Sequence, residues 1–201
     1  MTRTRFHQNL DDLKEKLLVM AGMAEQATQR AIEAYRVGNI SICDLVMRSE
    51  PAINRMERDI DQMALDLLAM EQPMAIDLRF ILSVIKIHGD LERIGDQSAN
   101  IVRKALSMKD APRISLPVNI QEMGEQVGVM IRTALQALLE ADAKMAESVL
   151  TMDDEVDEMN KAVQAELVEV MQRQSLVSEQ ALNAIIISRN LERAADHATN
   201  I

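Results

Sequence analysis

Two stretches a hundred residues apart carry the same chemistry: residues 90–101 read DLERIGDQSANI and residues 190–201 read NLERAADHATNI. At a constant shift of 100 they share Leu91/Leu191, Glu92/Glu192, Arg93/Arg193, Asp96/Asp196, Asn100/Asn200 and Ile101/Ile201. In each copy Glu and Asp stand four apart with Asn four further on, so a helix of about 3.6 residues per turn projects all three from one side. The line through Glu92 also holds Ile81, Ile85 and Ala99, and the line through Glu192 holds Ala181, Ile185 and Thr199. A carboxylate buried on such a line must be paired, protonated or metal-bound, because an isolated buried charge is too costly. Oxygen donors without cysteine suit hard or borderline cations: iron, manganese, magnesium, or zinc. The competing reading is a helical carboxylate pair answered by Lys or Arg from a neighbour. Repetition inside a shared motif favours metal, and Glu92, Asp96, Glu192 and Asp196 are the expected ligands.

Aligning the halves brings out a second set, in which Glu50-x-x-x-Asn54 corresponds to Asp153-x-x-x-Asp157. These four, with Asn100 and Asn200, are candidates for further ligands or for groups that hydrogen-bond to the ligands. Two helices of a bundle would then converge their oxygens on one ion or cluster. Against this, Asp153 and Asp154 are expected near a helix break, where the helix dipole favours acids. Glu57-x-x-x-Asp61 has the same spacing, but its counterparts are Asn160 and Gln164, so it is expected to be surface charge. Arg93 and Arg193 are expected to pair with acids of their own turn or across the bundle interface. His7, His88 and His197 sit at unmatched positions and are expected to be structural or superficial, His197 being the best exception because it adjoins Asp196.

The absence of Glu-x-x-His removes the pattern of ferritin-like di-iron oxidases. No Gly-rich phosphate loop and no Ser/His/Asp arrangement marks a kinase, ATPase or hydrolase. Cys43 is the single cysteine, so there is neither a disulfide framework nor a thiolate zinc site, and an inert buried thiol is expected. The chain is therefore expected not to be an enzyme. The alternative from another class is a metal-dependent helical hydrolase or oxidase working through the carboxylate rows.

The elements that must position these groups are helices. Leu10, Leu13, Leu17, Met20, Ala24, Ala27, Ala31 and Ala34 step by three and four, predicting a first helix that ends at Gly38-Asn39. A second is predicted over about 40–71, kinked or briefly broken at Pro51, and a third over about 75–108. The stretch from Lys109 to Pro117 carries two prolines and reads as a linker. Three more helices, near 118–141, 143–174 and 178–201, repeat the plan. At a shift of 103, Ile32/Leu135, Asn39/Asp142, Val46/Val149, Ile53/Val156 and Ile60/Val163 correspond. The prediction is all-α: two tandem, repeat-related three-helix bundles, at 1–109 and 118–201, joined by a linker at 110–117. The last helix reaches Ile201 without a stop signal, so a truncated C-terminus is expected.

Composition agrees: 48% hydrophobic residues suffice for a core, aromatics are scarce, and there are only six Gly and four Pro in 201 residues. A net charge of −10 argues against nucleic acid and for cations or basic protein surfaces. The basic start lacks an apolar stretch typical of a secretory signal, and no run approaches the roughly 18 apolar residues of a membrane span. A soluble, cytoplasmic protein is expected, with any membrane association peripheral and made through partners.

The two LER-x-x-D copies, with QPMAIDLRF at 72–80 and LKEKLLVMAGMAEQA at 13–27, resemble the PhoU family over nearly the whole chain. The resemblance implies two similar three-helix bundles and a cytoplasmic negative regulator of the phosphate regulon and modulator of phosphate uptake. It implies two partners, the ATPase of a phosphate ABC transporter and a membrane sensor histidine kinase, and a homo-oligomer, expected as a homodimer. It also implies E(D)xxxD motifs that bind iron or zinc, or other divalent ions, and these fall on Glu92, Asp96, Glu192 and Asp196. Gly95 becomes Ala195 in the second copy, and Asn54 faces Asp157 in the alignment, small departures from a strict repeat.

Overall fold

The computed structural model describes residues 3–71, 73–108 and 116–201. Among them the chain forms six helices and no strand: α1 (Arg3–Val37), α2 (Ile40–Glu71), α3 (Ala75–Ser107), α4 (Ile120–Glu140), α5 (Ala143–Arg173) and α6 (Ser178–Thr199), the last preceded by a 3-10 turn at Ser175–Val177. Helices α1, α2 and α3 pack on one another, as do α4, α5 and α6, giving the two expected three-helix bundles. The bundles meet where α1 lies against α4 and α3 against α6.

Apolar spacing accounts for this. All eight residues of the predicted α1 stripe are buried, from Leu10 to Ala34. Each fully buried Leu contributes about 1.5–3 kcal/mol relative to an exposed one, enough to fix which side faces in. On α3 the inward face is Ile81, Val84, Ile87, Leu91, Ile94, Ser98 and Val102. Ser98 is tolerated there because its hydroxyl bonds the Ile94 carbonyl at 2.9 Å and the Thr28 hydroxyl of α1 at 3.0 Å.

The turns repeat as well. Gly38 closes α1 at φ 64°, and Ala141, its counterpart at a shift of 103, closes α4 at φ 53°. Asn39 then caps α2 by accepting from Ser41 N at 2.9 Å, and Asp142 caps α5 by accepting from Lys144 N and Met145 N at 2.9 and 3.1 Å.

Three expectations need correction or placing. Helix α2 runs through Pro51 without a break. Pro fits a helical φ, and Val46 and Ile53, buried on either side of it, anchor both flanks to the core despite the lost hydrogen bond. Helix α4 starts at Ile120 rather than 118, because Asn119 caps it with its Oδ1 on Glu122 N at 3.2 Å. Of the predicted linker, residues 109–115 lie outside the described residues, and Leu116 to Asn119 are non-helical.

Candidate metal centre

The α2 and α3 helices run antiparallel, and their flanks set two lines of polar side chains face to face. From α2 come Glu50, Asn54, Glu57 and Asp61; from α3 come Arg103, Asp96, Glu92 and His88. Gly95 makes the approach close: a Cβ there would stand 2.9 Å from Ile53 Cδ1 and 3.4 Å from its Cγ2. At one end of the seam Arg103 donates to both Glu50 oxygens at 2.9 and 3.0 Å and to Asn100 Oδ1 at 2.7 Å. At the other end His88 Nε2 lies 3.6 Å from Asp61 and Nδ1 3.9 Å from Glu57. Between them, among the described residues, Glu92 and Asp96 meet no cation within ion-pair distance.

That imbalance shows in their acidity. Partial burial and then the Asp96 and Glu57 charges push the Glu92 carboxyl up. Burial and then Glu50 do the same to Asp96. Both acids are half-buried on the rim of the apolar face, not inside it. Asn54 Oδ1, on the facing line, is buried and accepts no hydrogen bond among the described residues.

The second bundle builds a matching seam from α5 and α6. Burial, then Asp196, then Asp157 raise the Glu192 carboxyl, and burial followed by Asp196, Asp157 and Asp154 raises Asp153. The predicted residues Asp153, Asp157, Glu192 and Asp196 are thus brought together, with Asp196 the most exposed of them. In the first bundle Glu50, Glu92 and Asp96 are brought together likewise, and Asn54 lies on the α2 line between Glu50 and Glu57. Asn100 accepts from Arg103, and Asn200 donates to Asp90 of α3 at 3.2 Å, so neither asparagine bonds to a carboxylate of its own row.

Several expectations change. Arg93 and Arg193 are exposed and, among the described residues, neither meets a carboxylate within 4 Å; adjacent positions on a helix diverge by about 100°, so each arginine points off the row it follows. His197 does not turn to Asp196: its Nδ1 sits 2.9 Å from Asp90 Oδ1, joining α6 to α3 across the bundle interface. Asp153 lies well inside an unbroken α5, which removes the helix-end explanation of its charge. Glu57, expected on the surface, belongs to the first row, and His88 is buried at 8% exposure. The spacing of Glu57, seven beyond Glu50, held that information; the position of α3 opposite was needed to use it. Cys43 is buried and its thiol is pushed up, first by burial and then by Asp44, as an inert core residue should be.

Chemically, the donor types of both seams suit a cation. They present several half-buried carboxylates whose mutual repulsion an ion would relieve, and the first adds an amide oxygen with no partner. As the side chains stand, no three His, Cys, Asp or Glu groups among the described residues close around one point, so chelation needs carboxylate rotamers to turn inward. The donors therefore fit a hard or borderline divalent ion in kind.

Known proteins share the fold. A family model described as the PhoU domain matches residues 17–105 and 120–201. The chain is 36% identical over 200 residues to the phosphate-specific transport system accessory protein PhoU homolog of Pseudomonas aeruginosa, covering 98% of this chain and 82% of that one. It is 31% identical over 189 residues to the homolog of the same description from Aquifex aeolicus, covering 94% and 86%. Among solved structures, that of PhoU from Pseudomonas aeruginosa superposes with a TM-score of 0.91 at 35% identity, covering 97% of this chain and 94% of that one. The phosphate transport system regulatory protein PhoU from Streptococcus pneumoniae superposes with a TM-score of 0.85 at 27% identity, covering 97% and 92%.

Proposed function

The chain belongs to the PhoU family, and from that premise we propose that it is an accessory protein of a phosphate-specific transport system, acting by contact with partners and not by catalysis. The observation that carries this reading is the match of both halves over nearly the full chain to relatives bearing that description. In the finer form of the proposal it is a cytoplasmic negative regulator. It links the transporter ATPase to a sensor histidine kinase and keeps phosphate-scavenging genes off when phosphate is plentiful. Among the described residues no helix is long and apolar enough to cross a membrane, so contact with membrane components would run through their exposed domains. The charge of −10 favours basic partner surfaces and makes association salt-sensitive.

The carboxylate seams are the sites this reading assigns to divalent ions. Glu92 and Asp96 with Glu50 would hold one, and Glu192 and Asp196 with Asp153 and Asp157 the other. A bound cation supplies charge neutralisation there. The chain's own part is to keep the acids crowded and half-dry: α3 is pinned to α2, and α6 to α5, by the apolar lines beneath the acids, so the donors stay together whether or not an ion is present.

Deleting the gene tests the regulatory role: reporter genes for phosphate scavenging should switch on in high phosphate, and unchanged output would refute it. Elemental analysis of the natively purified chain tests the seams. Glu92→Gln with Asp96→Asn should remove metal from one seam and leave the other, while unchanged metal content would return these acids to the role of solvated surface charge.

A further inference from the structure

The two seams are not equivalent, and the difference lies in one buried ring. Position 88 is His in the first half and its counterpart, at a shift of 100, is Ser188. Facing it, Glu57 and Asp61 correspond to Asn160 and Gln164. The second half closes this end of its seam with neutral hydrogen bonds. Gln164 donates to Asn160 Oδ1 at 3.0 Å, and Ser188 donates to the Ile185 carbonyl at 3.0 Å.

The first half leaves the same place open. His88 is 8% exposed, and among the described residues neither ring nitrogen has a hydrogen-bond partner. Each nitrogen faces a carboxylate just beyond hydrogen-bond reach: Nδ1 with Glu57 at 3.9 Å and Nε2 with Asp61 at 3.6 Å. A buried imidazole with both nitrogens idle is uncommon, since buried polar groups are almost always partnered. Ligand atoms about 2.0–2.2 Å from a tetrahedral ion stand roughly 3.4 Å from each other, so 3.9 Å is near the edge of such a polyhedron and too long for a hydrogen bond. Glu92 is one turn along α3 from His88 and close enough to Glu57 that the Glu57 charge opposes its ionisation. The side chains of Glu57 and Asp61 are 31% and 47% exposed, free to turn, while the ring is held by the core.

We propose that His88 Nδ1, Glu57 and Glu92 form a mixed nitrogen–oxygen site for a divalent transition ion, with Asp61 receiving Nε2–H and fixing the ring, a site for which the second bundle has no counterpart. The inference rests on the reading of the seams as cation sites and adds a donor and a selectivity to one of them. A carboxylate–histidine–metal arrangement of this kind fixes the tautomer and strengthens the ring as a ligand. Imidazole favours zinc, nickel or cobalt over magnesium, whereas the second seam offers oxygen alone.

The test is a Zn2+ titration of the metal-stripped full chain labelled with 15N-histidine, followed by NMR of the three imidazoles. Assignment comes from His88→Gln and His197→Gln. The expected result is that the His88 ring signals move to the metal-bound, Nε2–H form, and that His88→Gln weakens one Zn2+ site by about 10-fold or more while leaving Mg2+ binding alone. Asp61→Asn, which spares the core, should weaken the same site and disturb the tautomer. If Zn2+ binds the chain and the His88 signals stay those of a free or protonated ring, the mixed site is overturned and the acidic seams survive. If neither Zn2+ nor Mn2+ binds the wild type, both the seams and the mixed site fall.

Discussion

Replacing Asp196 by asparagine removes the charge that most raises both Glu192 and Asp153, after burial, so it should stabilise the metal-stripped protein. Asp196 is four residues beyond Glu192 on one helix, where like charges cost about 0.2–0.5 kcal/mol. Its repulsion on Asp153 crosses to α5. At roughly 6 Å in water-like surroundings one such repulsion is about 0.7 kcal/mol, cut by about half at physiological salt. The two contributions together predict a gain of about 0.5–1 kcal/mol at pH 7, or about 1–4 °C in Tm for a chain of this length. The sign of the pH dependence follows from linkage. Raised carboxyls make the folded chain bind more protons than the unfolded one, so stability is fullest below the unfolded carboxyl values. It falls as pH rises from about 4 through the raised folded values. Asp196→Asn should therefore flatten that fall and lose its advantage below about pH 3.5. The assay is urea unfolding with chelator at pH 3.5 and pH 7, repeated at pH 7 with saturating Mn2+, where the order should reverse because the wild type binds the ion better. A variant less stable than wild type at pH 7 without metal would refute the reasoning, since it would mean that Asp196 sits in a net attractive field from Arg189 and Arg193.

Three further outcomes follow from the packing. Gly95→Ala should destabilise by about 1–2 kcal/mol through the clash with Ile53, and adding Ile53→Val should recover most of it in a chemical-denaturation double-mutant cycle, Ala195 and Val156 being the residues at the corresponding positions of the second half. Ala141→Gly should raise stability by about 0.5–1 kcal/mol in thermal unfolding, since a left-handed φ of 53° strains alanine and suits the glycine found at the matching position 38. Arg103→Gln should change stability by under about 1 kcal/mol, its pair with Glu50 being half-exposed, yet tighten divalent binding at the first seam in a calorimetric titration by freeing Glu50.

Much of this molecule was determined by local pattern. Apolar residues at three- and four-residue steps, with Gly38, Asn39 and Asp142 at the helix ends, suffice to lay down the helices, because periodicity and turn chemistry act within a few residues. The internal repeat then dictates two bundles, and repetition of Glu-x-x-x-Asp marks α3 and α6 as the helices with chemistry. What stands opposite those acids was decided only in three dimensions. Antiparallel packing of α2 on α3 brought Glu57, Asp61 and Arg103 to the seam and left Arg93 facing solvent, while packing of α6 on α3 and α5 set His197 against Asp90 and left Arg193 exposed. Such choices depend on the rotation of one helix about its neighbour, which is set by contacts like Gly95 on Ile53 between residues 42 positions apart. No spacing within either helix carries that angle.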